Sequence, residues 1–202
     1  MPTLLQATAS ITAGKPVILN SAGTVTQVAE TTTTDTTRMT LSNGSAGAQE
    51  MGTNNVQRPS TTYDTNSDRF VTAYADDGNS GYGTAVVHTL SNASTGAMTY
   101  GTPVVFESAD IDMGSAGTKY IAFDSSANRV VIAYRDRGDS DKGKAVVGSV
   151  NSGTNAISFG TPVEFESATT NFIATVYHPN VDRTVIFYTD YDSGYGNGIV
   201  GT

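Results

Sequence analysis

The sequence predicts an all-β fold built from repeated four-stranded antiparallel sheets, and three observations predict it. One unit recurs nearly three times along 202 residues. Within that unit, runs of β-branched and aromatic residues alternate with turns rich in Gly, Asn, Asp and Ser. The central run of each copy is apolar on both faces, which a strand needs only when it is covered on both sides.

The middle copy, residues 123–166, reads FDSSANRVVIAYRDRGDSDKGKAVVGSVNSGTNAISFGTPVEFE. An earlier copy starts at Tyr63 and a later one at Tyr177, the latter stopping in mid-unit. Arg69, Arg129 and Arg183 stand 60 and 54 residues apart, each after an Asp or Asn. Each is followed by a Tyr-x-Asp: Tyr74 and Asp76, Tyr134 and Asp136, Tyr188 and Asp190. Self-similarity at such a spacing calls for a repeat architecture before any other. The repeats are expected at about 56–109, 118–168 and 171–202, the last incomplete.

In the middle copy, 120–124 is a short apolar run and 125–128 a polar turn. Residues 130–134 are β-branched and aromatic, a second strand. A loop at 136–143 leads to a third strand at 144–150, and a Gly-containing turn at 151–155 to a fourth over 156–166. Pro162, like Pro103 one copy earlier, has no N–H to give a ladder and marks a break or bulge there. Val130, Ile132 and Tyr134 face one way and Val131 and Ala133 the other; Ile186 and Tyr188 oppose Val185 and Phe187. Sheets covered on both faces suit β-propeller blades. The alternative is a β-sandwich, which buries one face of most strands.

Residues 1–37 form a separate region. Runs at 17–20 and 24–29 flank Ser21, Ala22 and Gly23 as a strand-hairpin, and 30–37 is a Thr-rich linker. A hairpin alone buries no core, so this piece is expected to dock on something else. The β-repeat region is expected over 38–202, with a strand at 39–41. The third copy lacks its fourth strand, which reads as an array continuing beyond the given end.

The net charge is −8, which argues against wrapping nucleic acid or binding an anionic membrane surface. There is no cysteine, hence no disulfide framework or thiolate metal site. The N-terminus has no basic region followed by an apolar core, and no stretch approaches the ~18 apolar residues of a membrane span. The reading is a soluble protein made in the cytosol.

The repeat sentence, F/Y-D-x-x-x-N/D-R through I-S-F-G-T-P-V-x-F-E-S-A, resembles the β-repeats of virion appendage proteins of marine phages, especially cyanophages. The match covers 123–168 and its sister copies; the opening ATASITAGKPVILNSAGTVTQVAE resembles the N-terminal hairpins of phage fibres and capsid decoration proteins. The resemblance implies a structural virion protein, a tail fibre or decoration-type appendage located on the particle. Residues 1–30 would dock on capsid, portal, adaptor or tail proteins, and the repeats would point outward for host attachment. It also implies a homo-oligomer, with a trimer favoured, and a host-surface glycan as receptor. The alternative reading is a secreted propeller-type glycan-active enzyme or a bacterial adhesin.

Catalytic chemistry is sparse. His88 and His178 do not recur between copies and read as solvent or turn histidines. The S-x-D-x-G-x-x-W box of propeller sialidases has no counterpart in a chain without tryptophan. Glycoside hydrolysis needs two carboxyls facing across a pocket, whereas Glu107 and Glu166 are repeat-equivalent and read as scaffold. No catalytic residue is assigned and no enzyme activity is expected. No cofactor is expected either. Asp136, Asp139 and Asp141 sit close enough in one loop to raise Ca²⁺, but the other copies do not keep them, and a polar turn is the simpler reading. Tyr82 and Tyr195, in Gly-rich loops, are the candidate ligand contacts. Arg69, Arg129, Arg183, Tyr74, Tyr134, Tyr188, Asp76, Asp136 and Asp190 are structural anchors, each Arg expected to span a seam between strands.

Overall fold

The structure is a computed structural model and describes residues 6–7, 17–19, 24–27, 50–51, 55–93, 95–114 and 119–201. The turn expected at 21–23, the Thr-rich linker and the strand expected at 39–41 lie outside the described residues. The chain divides into two compact units, 1–42 and 43–202, a few residues beyond the expected boundary. In the first unit β1 (Gln6–Ala7), β2 (Val17–Leu19) and β3 (Thr24–Gln27) form a sheet with β3 central, antiparallel to β2 and parallel to β1.

The second unit is all β, a fan of propeller-like antiparallel sheets. The first sheet runs from the inner strand β4 (Val56–Asp64) through β5 (Arg69–Asp76) to β6 (Tyr82–Asn92). Its outer place is filled by β7 (Ala97–Tyr100) and β8 (Val104–Asp112). The second repeats this with β9 (Ile121–Asp124), β10 (Arg129–Asp136), β11 (Lys142–Asn151), β12 (Ala156–Phe159) and β13 (Val163–Glu166). The third has β14 (Thr170–His178), β15 (Arg183–Asp190) and β16 (Tyr195–Gly201). Pro103 and Pro162 fall in the gaps that split the outer strands, as a residue without an N–H requires.

The turn from inner to second strand shows why the repeat holds an Asp and an Asn or Asp before each Arg. Asp64 Oδ1 accepts the N–H groups of Asn66 and Ser67, and Asp124 Oδ1 those of Ser126 and Ala127. Asp68, Asn128 and Asp182 take φ of 55°, 55° and 54°, a left-handed conformation that Asn and Asp tolerate best. The following Arg then folds back. Arg129 Nη1 donates to the carbonyls of Ala127 and Asn128, and Arg183 Nη1 to that of Asp182. The expectation that each Arg spans a seam is corrected on this point. Among the described residues Arg69 bonds to another sheet, at the Ser152 carbonyl 2.6 Å away, and Arg129 and Arg183 do not.

The inner strands carry a break opposite the repeat tyrosine. In β4 two residues, Arg58 and Pro59, bulge opposite Tyr74; in β14 Phe172 and Ile173 bulge opposite Tyr188. Arg58 and Phe172 take φ of 50° and 49°. In the middle repeat the break is longer: Ile111 and Asp112, the end of β8, pair with Asp136 and Arg135, and pairing resumes at Ile121 with Ile132. Strand β8 therefore ends in the inner place of the next sheet, and the first two sheets are joined rather than separate.

One core cluster runs through all three sheets, from Val71 and Val87 through Ile132 and Tyr134 to Ile186 and Tyr188. Strand β10 is fully buried on the face of Val130, Ile132 and Tyr134; on the other face Ala133 is buried but Val131 only half-buried, so cover on both faces is met in part. In strand β15 Ile186 and Tyr188 are buried but Phe187 is 53% exposed, because no described sheet packs on that side. His88 is also corrected. It is buried in β6 between the rings of Phe70 and Tyr100, and burial lowers its pKa.

Candidate functional site

The inner strands of the three sheets come together at β4, β9 and β14, and at their C-terminal ends they enclose a hollow of about 420 Å³. Three aromatic side chains from equivalent repeat positions line it: Tyr63, Phe123 and Tyr177. Each immediately precedes the residue that enters the turn, so the repeat itself delivers one ring per sheet to the same place. Phe123 is buried, Tyr177 half-buried and Tyr63 exposed.

Polar groups complete the hollow. Thr62, Thr65, Ser125 and Lys119 are polar residues of its lining; among the described residues no Asp, Glu or His lines it. The rings are held. Tyr63 donates to Asp68 Oδ1 at 2.7 Å, and Tyr177 Oη lies 3.0 Å from Asp182 Oδ1 and 2.9 Å from Ser126 Oγ. The bond to Asp68 pushes the Tyr63 phenol above its ordinary pKa. Asn66 ties the first turn to the second by donating to the Ser125 carbonyl, and the Lys119 carbonyl accepts from Thr175 N–H at 2.7 Å.

The other end of the sheets is charged. Arg58, Arg135 and Arg137 converge on the carboxylate of Asp112, whose side chain is 7% exposed. Arg135 also donates to Asn171 Oδ1 and faces Asp141. Asp136 pairs with Lys144, and Asp139 with Lys142 and Lys144. Of the three carboxylates raised for Ca²⁺, Asp136 and Asp139 share the Lys144 ammonium, while Asp141 faces Arg135. The Lys144 ammonium is disfavoured by burial, yet Asp136 and Asp139 more than offset that and raise its pKa. Tyr82 and Tyr195 begin β6 and β16 at this end, away from the hollow; Tyr195 is 72% exposed and Tyr82 half-buried.

The repeat tyrosines seal the seams. Tyr134 donates to Glu107 Oε2 at 2.8 Å and Tyr188 to Glu166 Oε2 at 3.0 Å, while the adjacent Phe106 and Phe165 rings pack on the same tyrosines. Burial first, then the Glu107 bond, raises the Tyr134 pKa. The same tyrosine–glutamate pair recurs at the next seam and joins adjacent sheets there too. Asp190 accepts from Ser193 Oγ and the N–H groups of Asp192 and Ser193, ordering its own turn.

No protein-family model and no curated protein matches the chain. Solved structures that match include a Trypanosoma rangeli sialidase, at 15% identity and a TM-score of 0.37, covering 80% of this chain and 33% of that one. Another is a Trypanosoma rangeli sialidase in complex with 2,3-difluorosialic acid, at 14% identity and 0.38, covering 94% and 34%. The chain spans about a third of their length. The expectation of a phage virion appendage is corrected on this comparison: the structures it returns are sialidases. Identities and TM-scores this low transfer neither activity nor substrate to this chain.

Proposed function

We propose that this chain is a non-catalytic glycan-binding module. The observation that carries the reading is the hollow where Tyr63, Phe123 and Tyr177 meet beside Lys119 and three hydroxyl side chains. Sugars present apolar C–H faces that stack on aromatic rings and hydroxyl edges that take hydrogen bonds, so this lining suits them. Glycoside hydrolysis calls for a pair of carboxyls across the bond to be cut. Among the described residues none lines the hollow, which supports binding without turnover.

A glycan array probed with the labelled chain tests the reading, with each bound glycan checked for cleavage by mass spectrometry. Saturable binding to a defined glycan class, with the glycan recovered intact, is the expected result. Cleavage of the bound glycan, or no binding across the array, would overturn it.

A further inference from the structure

The hollow is built from one repeated set of positions and one residue outside it. Each sheet lines it with its ring, the residue before the ring and the residue two after it. The first sheet gives Thr62, Tyr63 and Thr65, all bearing hydroxyls; the third gives Val176, Tyr177 and Pro179, a largely apolar side. Lys119 completes the lining. It stands four residues before its ring, where the other copies have Pro59 and Ile173. The cation therefore belongs to the second copy alone.

Among the described residues Lys119 is also the cation without a partner. The arginines around Asp112 and the lysines beside Asp139 are in ion pairs, and the repeat arginines donate to backbone carbonyls. The carboxylates of the three turns are engaged as well. Asp68 accepts from Tyr63 and Asp182 from Tyr177, and Asp64 and Asp124 each accept N–H groups of their own turn. The root of Lys119 is fixed: its carbonyl accepts the Thr175 N–H at 2.7 Å, and that of Tyr120 accepts the Ala133 N–H at 2.9 Å. Its side chain is exposed. A lysine held this way keeps a flexible four-carbon stem, on which the ammonium moves as a compact point charge with three donors.

We propose that Lys119 makes the hollow selective for a glycan bearing an anionic group, a carboxylate or a sulfate ester. The inference rests on the glycan-binding reading of the hollow and adds the class of sugar it takes. The C–H face of the sugar lies towards Tyr177, Val176 and Pro179, and its hydroxyl edge towards Thr62 and Thr65. The anion accepts charge-assisted hydrogen bonds from Lys119. A carboxylate and a sulfate both offer an ammonium such oxygens, so matched probes are needed to separate them.

The test titrates the full chain against a glycan array of matched pairs on several sugar backbones. Uronate oligosaccharides are set beside their carboxyl-reduced forms, and sulfated oligosaccharides beside their desulfated forms. The charged member of one kind of pair should bind about fivefold more tightly than its neutral partner at low salt, and the kind of pair that shows this names the group. Lys119→Gln should remove the difference, Lys119→Arg should keep it, and added salt should shrink it. Binding confined to neutral glycans, equal binding of both members, or a preference that survives Lys119→Gln would overturn the inference and leave the glycan-binding reading standing. No binding to any glycan, charged or neutral, would overturn both.

Discussion

The Tyr134 hydroxyl donates to Glu107 Oε2 over 2.8 Å, joining the second strand of one sheet to the outer strand of the sheet before it. Tyr134 is fully buried and Glu107 half-buried, so removing the hydroxyl leaves a carboxylate short of a partner. Tyr134→Phe should lower unfolding stability by about 1–2 kcal/mol in urea denaturation. Tyr188→Phe, which breaks the equivalent bond to Glu166, should act in the same direction.

The same burial makes a pH prediction. The folded-state pKa of Tyr134 is raised, by burial first and then by Glu107. A raised phenol keeps its full contribution below the unfolded value of ~10 and loses it as pH climbs towards the folded value. Stability should therefore fall above about pH 10. The fall should be shallower in Tyr134→Phe, as read from urea midpoints across the alkaline range.

Glycine supplies a test of repeat equivalence. Gly83 lies under Phe106, where a Cβ would meet the ring at 2.5 Å, and Gly143 lies under Phe165 at 2.5 Å. Gly196 holds the same register in the third sheet and has nothing within 4 Å. Gly83→Ala and Gly143→Ala should each cost about 1–3 kcal/mol by overpacking. Gly196→Ala should change the thermal midpoint little.

Asp112 gathers Arg58, Arg135 and Arg137 at the charged end. Asp112→Asn leaves three guanidinium groups facing one another around a neutral amide. Part of that repulsion is screened, because Arg58 and Arg137 are about 40% exposed. A loss of about 2 kcal/mol is expected, smaller in added salt. Asp139→Asn, at an exposed pair, should leave the denaturation curve unmoved.

Much of the fold is readable from local chemistry. Runs such as Val130, Val131 and Ile132 are strand-forming wherever they fall, and the prolines mark their own breaks. The uneven repeat step was not readable. It comes mainly from the inner strand, where a two-residue bulge at Arg58 and Pro59 becomes the stretch between Asp112 and Ile121. Nor do composition and spacing place Asp112 beside three arginines, since those contacts depend on how β8 crosses into the next sheet. The local bonds of Arg129 and Arg183 were not readable either, because they follow from the left-handed residue before each one, whereas Arg69 does reach across to Ser152. The hollow does have a signal in the sequence: every copy opens on an aromatic residue, Tyr63, Phe123 or Tyr177. The Gly-rich loops single out Tyr82 and Tyr195, which begin their strands at the opposite end.

Isothermal titration of the strongest array glycan into four variants tests the hollow most directly. Tyr63→Ala and Tyr177→Ala should each weaken binding about tenfold, the loss of about 1.4 kcal/mol of ring contact. Tyr82→Ala and Tyr195→Ala should bind as the unaltered chain does. Unchanged affinity in the first pair together with loss in the second would contradict the account and move the site to the charged end of the sheets.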